Sequence, residues 1–131
     1  MSPRAALRSL KGGAVFEWVS EEARLEADAL LDADPLARSE FVPLLRRVGT
    51  GALRSRDYGQ MVMVAGEPYL FELRLRTTSP QLRLYFYEES RDDGLHVVGL
   101  MLAPKPSGSL AEQRERQNDD ARRAYGRRRS T

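Results

Sequence analysis

Tyr69-Leu70-Phe71-Glu72-Leu73-Arg74-Leu75-Arg76 and Gln81-Leu82-Arg83-Leu84-Tyr85-Phe86-Tyr87 are two alternating runs separated by Thr77-Thr78-Ser79-Pro80. Side chains of a strand alternate between its two sides, so Tyr69, Phe71, Leu73 and Leu75 face one way and Glu72, Arg74 and Arg76 the other. The second run divides likewise, with Leu82, Leu84 and Phe86 opposed to Arg83, Tyr85 and Tyr87. Pairing the runs across the turn joins their polar sides into one surface of guanidinium and phenol groups. Such a surface suits single-stranded RNA, with cations for phosphates and rings for unstacked bases. The competing explanation is ordinary: surface salt bridges for Arg74 and Arg83, and cross-strand packing for Tyr85 and Tyr87.

Downstream, Glu88-Glu89-Ser90-Arg91-Asp92-Asp93-Gly94 reads as a hairpin turn with Asp93-Gly94 at its tip. Its acids lack calcium-loop spacing and suit a solvated turn. Residues 95–102 are nearly continuous in apolar character, as in a buried central strand, and His96 within them reads as a packed sheet histidine. After the breaker run Pro104-Lys105-Pro106-Ser107-Gly108, Ser109 caps a helix from Leu110 to about Tyr125, and Gly126-Arg127-Arg128-Arg129 should fray.

Upstream, residues 61–64 suggest a strand, and residues 51–58 a basic loop carrying Arg54 and Arg56. Ala37, Phe41, Leu44, Leu45 and Val48 form a helical stripe that stops at Gly49. Pro43 interrupts it, which requires either a restart with Ser39 as N-cap or a kink. Residues 14–19 alternate as a short strand. Ser20 then caps a helix with Glu21 and Glu22 in its first turn and Ala23, Ala27, Leu30 and Leu31 inward, ended by Asp34-Pro35. The expectation is a loose leader at 1–13, one domain at 14–125 and a frayed basic tail at 126–131. The fold class is α+β: a small, twisted, mainly antiparallel sheet with an N-terminal helical hairpin on one face and a C-terminal helix beside it.

The chain has 131 residues and a net charge of +2, enough for one cored domain. Without cysteine it has no disulfide, thiolate nucleophile or cysteine-based zinc site, and a single histidine rules out a His-rich metal site. No apolar run approaches a membrane span and no signal-peptide stretch is visible, so a cytoplasmic location is expected. Acids dominate residues 17–34 and arginines residues 112–131; the separation suits one end turned toward a polyanion, and the alternative, two ordinary solvated helix faces, is the favoured reading of the acidic end.

The order of strand, helical hairpin and meander, with Phe71-Glu72-Leu73-Arg74 followed by Arg83-Leu84-Tyr85-Phe86-Tyr87, resembles the HigB-type toxins of the RelE superfamily over residues 15–125. That resemblance implies a RelE-like fold and a ribosome-dependent mRNA endonuclease, the toxin of a type II toxin–antitoxin pair. Cleavage by the RNA's own 2′-hydroxyl calls for no metal or cofactor. By position, Arg74 and Arg83 would hold the scissile phosphate, Lys105 would match the lysine after the last strand, and Tyr85 or Tyr87 would stack on a base or assist proton transfer. Tyr87 is the candidate counted with the catalytic set; Arg76, Tyr85, Arg54 and Arg56 are the candidate RNA contacts. Implied partners are a small helix-turn-helix antitoxin and mRNA in the A site of the small ribosomal subunit. The chain carries one lysine where these toxins have a Lys-Lys-Thr-x-Lys-Thr-Pro run, and lacks their histidine near the end of the last strand. A non-catalytic relative that binds protein or RNA is therefore the alternative.

Overall fold

A computed structural model describes residues 7–60, 67–78 and 80–130. The elements are β1 (Val15–Trp18), α1 (Glu21–Asp32), α2 (Pro35–Thr50), β2 (Tyr58–Gln60), β3 (Phe71–Leu75), β4 (Leu82–Arg91), β5 (Gly94–Pro104) and α3 (Leu110–Arg129), with 3₁₀ turns at Arg8–Leu10 and Ser55–Asp57. The strands form one open mixed sheet in the order β1-β5-β4-β3-β2. β1 runs parallel to β5 and the other pairs are antiparallel. The protein is α+β, with the helical hairpin α1–α2 on one face. The strand expected at 61–64 lies outside the described residues; β2, just before it, was not anticipated.

Period-two alternation holds through the centre of the sheet. Leu73, Leu75, Leu82, Leu84 and Phe86 pack with Ala27, Leu31, Ala37, Phe41, Leu44 and Val48 beneath the hairpin. Tyr85 and Tyr87 fall on the opposite face with Val98, Leu100 and Met101. The β4–β5 ladder shifts register where Tyr85 faces Met101 and Phe86 faces Gly99, leaving Leu100 as an extra residue. This bulge puts Leu100 and Met101 on the same side and so thickens the second apolar layer. At Gly99 the rings of Phe16 and Trp18 come within 3 Å of where a Cβ would stand, at 2.8 and 2.9 Å. β1 can lie against β5 only because that position has no side chain.

The C-terminal helix is not beside the sheet but over its second face, where Ala121, Ala124 and Tyr125 are buried against Tyr85, Tyr87 and Leu100. Its expected frayed end is helical through Arg129. The arginines there are tied down: Arg127 donates to the Leu100 carbonyl at 3.0 Å and pairs with Glu26, while Arg128 and Arg129 pair with Glu67 at 2.8 and 3.0 Å. The leader is also held from residue 7 onward. Leu7 and Ser9 are buried, and the Glu88 carboxylate accepts the N–H groups of Arg8 and Ser9, each at 2.8 Å.

Two helix boundaries differ from expectation for local reasons. Asp34 both ends α1 and caps α2, accepting from Leu36 N at 2.9 Å, and Pro35 takes the first helical position, where its missing N–H costs nothing. Ser39 is no cap; its hydroxyl donates to the Leu36 carbonyl at 2.7 Å. The helix passes Gly49 and stops at Gly51, whose φ of 73° is the left-handed conformation that closes a helix end. Ser20 and Ser109 cap α1 and α3 as expected, accepting from Ala23 N and Glu112 N. The β4–β5 hairpin turns at Asp92-Asp93, since Arg91 already faces Gly94 in the ladder.

Candidate functional site

Arg74 on β3 stands directly opposite Arg83 on β4. Like charges in that position repel, which works against strand pairing by a few tenths to about 1 kcal/mol. Glu72 resolves the conflict from the same face. Its carboxylate is 4% exposed; Oε1 accepts from Nε and Nη2 of Arg74, both at 3.3 Å, and Oε2 accepts from Nη1 of Arg83 at 2.8 Å. The unit carries two positive charges and one negative. The Arg83 side chain is 14% exposed and that of Arg74 is 38%, so Arg74 forms the open side of the pair. The buried Nε of Arg83 has no hydrogen-bond acceptor among the described residues. Each guanidinium has five N–H donors, so both retain donors beyond those that Glu72 accepts.

The tyrosines share this face but sit under α3. Tyr85 is 0% exposed and its hydroxyl donates to Asp120 Oδ2 at 3.4 Å. Burial, followed by the negative charges of Asp120 and Glu72, pushes its phenol far above the ordinary value, so it remains a neutral donor. Burial also raises the Asp120 carboxyl. Tyr87 donates to Glu89 at 3.3 Å, has the Arg128 guanidinium 5.4 Å over its ring, and is likewise raised by burial and then by Glu89. Neither ring presents an open face on which a base could stack. α3 passes Tyr87 at Arg128 and Tyr85 at Asp120, so its earlier turns lie on the Arg83 side of Tyr85.

The other predicted residues spread around this row. Arg76 is exposed just past β3, and Lys105 is exposed just past β5, its backbone N–H donating to the Gln81 carbonyl at 2.7 Å. Both therefore lie at the end of the sheet next to the Arg74–Arg83 row. Arg54 and Arg56 are exposed near the 3₁₀ turn before β2, and Arg54 is anchored by the buried Asp57. Burial works to raise the Asp57 carboxyl, but the Arg54 backbone N–H and the guanidiniums of Arg54 and Arg47 outweigh it and hold the group below the ordinary aspartate value. His96 is at the far end of β5, between Asp93 at 2.7 Å and Glu17 at 3.4 Å. It takes no part in the arginine row.

Sequence reasoning gave Glu72 only as a salt-bridge partner and missed Asp120. Glu72 was legible from alternation. Asp120 was not, because its contact with Tyr85 spans the distance from a helix to a strand that is remote in sequence. An open groove of about 580 Å³ lined by Ser20, Glu22, Arg123, Gly126, Arg127 and Ser130 shares no lining residue with the arginine row. Among the described residues, no three histidine, aspartate or glutamate side chains converge as metal ligands, and no helix is long and apolar enough to cross a membrane. Comparison with protein-family models, curated proteins and solved structures finds no match to this chain.

Proposed function

We propose that the protein is the toxin of a type II toxin–antitoxin pair, with a RelE-like fold and mRNA endonuclease activity on the ribosome. The observation that carries this is the cross-strand Arg74–Arg83 pair braced by one buried carboxylate. A like-charge pair of this kind is a poor structural choice and a good phosphate contact. The element order of strand, helical hairpin and antiparallel meander supports the same reading.

In this mechanism the two guanidiniums hold the scissile phosphate and stabilise the charge that grows on its oxygens. The 2′-oxygen bonds to phosphorus as its proton passes to solvent, the bond to the 5′-oxygen breaks, and that leaving oxygen takes a proton from Lys105 or from solvent. Lys105, just past β5 at the Arg83 end of the row, is the candidate to supply charge or a proton. A small helix-turn-helix antitoxin would hold the toxin inactive.

Induced expression should arrest growth, and Arg74→Ala or Arg83→Ala should relieve the arrest while leaving a folded protein. Loss of one such donor typically costs about 2.7–4 kcal/mol of transition-state stabilisation. The burial of Tyr85 and Tyr87 beneath α3 favours a second reading, a non-catalytic module of the same fold that binds RNA or protein. Normal growth at high soluble expression of the unmutated chain would select that second reading.

A further inference from the structure

β2 brings Gly59 into register with Glu72, next to the arginine row. A Cβ built on Gly59 would stand 2.4 Å from Nη2 of Arg74, 3.2 Å from its Cζ and 3.2 Å from Oε1 of Glu72. The guanidinium of Arg74 thus occupies the space a side chain at 59 would fill. Gly59 is not among the glycines with positive φ, so its backbone does not require glycine. Glycine in a strand interior weakens the strand and often marks the close approach of another group. Here that group is a guanidinium.

We infer that Gly59 is a positioning residue: its missing side chain, together with the Glu72 carboxylate, sets where the Arg74 guanidinium stands relative to Arg83. Glu72 draws both arginines inward by charge, and Gly59 leaves the space that the Nη2 end of Arg74 occupies. The spacing of the two cations is then preset before any anion arrives, so less side-chain ordering remains at the moment of binding. The ligand class, a single-stranded RNA phosphodiester, rests on the function proposed above; the placement of Arg74 does not.

The test uses the full chain as wild type, Gly59→Ala, Arg74→Ala and the double variant. Three quantities are measured: the melting temperature, the Arg74 Nε–H resonance (assigned by its loss in Arg74→Ala), and affinity for a single-stranded RNA with 2′-O-methyl riboses, which block cleavage. Alanine suits a strand better than glycine and the colliding atom is the end of a flexible side chain. Gly59→Ala should therefore melt no lower than wild type. It should shift the Arg74 resonance and weaken RNA binding about tenfold, the scale of one charge-assisted hydrogen bond. In the Arg74→Ala background it should not weaken RNA binding further, because both changes remove the same contact. An unmoved Arg74 resonance, or equal weakening in both backgrounds, would overturn the inference. Should Gly59→Ala melt lower, adding Arg74→Lys removes Nη2 and must restore the melting temperature, or the inference fails. A wild-type chain that ignores the RNA while Gly59→Ala still moves the Arg74 signal counts against the RNA function alone.

Discussion

Asp120 holds its proton more tightly in the folded protein than in the open chain. Burial is the main cause, with the neighbouring Asp119 adding to it and the Tyr85 hydroxyl and Arg123 working the other way. A carboxyl raised in the fold makes the folded state the better proton binder, so stability falls as pH rises from about 4 through the raised value. Asp120→Asn removes that loss and can still accept from Tyr85. The variant should melt above wild type at pH 7, and the gap should close below pH 4, which thermal melts at the two pH values would read. A gap that is the same at both would show that the charge on Asp120 is irrelevant. The alternation of residues 69–87 told which side Tyr85 faces, but not that a carboxylate from α3 waits there.

Pro43 is carried inside α2 without ending it. The ring takes away the N–H that would donate to the Ser39 carbonyl and crowds that carbonyl as well. The helix survives because Ala37, Phe41, Leu44 and Val48 are buried along one stripe against the sheet, and tertiary packing outweighs a local defect. Pro43→Ala should therefore raise unfolding free energy by about 1–3 kcal/mol, measured by urea denaturation at neutral pH. A lower stability would mean that the pyrrolidine ring packs against something that alanine cannot replace. That periodic stripe was plain in the sequence; the start of the helix at Pro35 was not, since Asp34-Pro35 ends one helix as readily as it begins the next.

Three layers are joined at the C-terminal end of α3 largely by charge. Arg127 reaches Glu26 on α1 and the Leu100 carbonyl on β5, and the nearly buried Glu67 receives both Arg128 and Arg129. Apolar burial on α3 is modest, limited to Ala121, Ala124 and Tyr125. Glu67→Gln should lower stability by about 1–2 kcal/mol, because it removes the charge from two arginine contacts at once. The difference from wild type should narrow in high salt, where surface pairs are screened. A salt-independent difference would point to hydrogen bonding rather than charge as the bond between the layers. Loosening this end should also make Tyr85 and Tyr87 more accessible, since α3 is their cover.

What is local can be read along the chain. Period-two alternation put Leu73, Leu84 and Phe86 on one face and Glu72, Arg74, Arg83 and Tyr85 on the other, because neighbouring strand residues have no choice but to point apart. Ser20 and Ser109 read as caps because a hydroxyl three residues before a free N–H suffices. What covers the polar face depends on how the layers pack together. α3 is mostly charged, and the short stripe Ala121, Ala124 and Tyr125 names no target; its docking over Tyr85 and Tyr87 depends on contacts such as Tyr125 to the Pro68 carbonyl and Arg127 to Glu26, both far apart in the chain. The same holds for Arg8 and Ser9, pinned by Glu88 some 80 positions away, and for Gly59, whose purpose is visible only once Arg74 lies against it. Contacts of that range follow from how layers stack, and no pattern along a single segment encodes them.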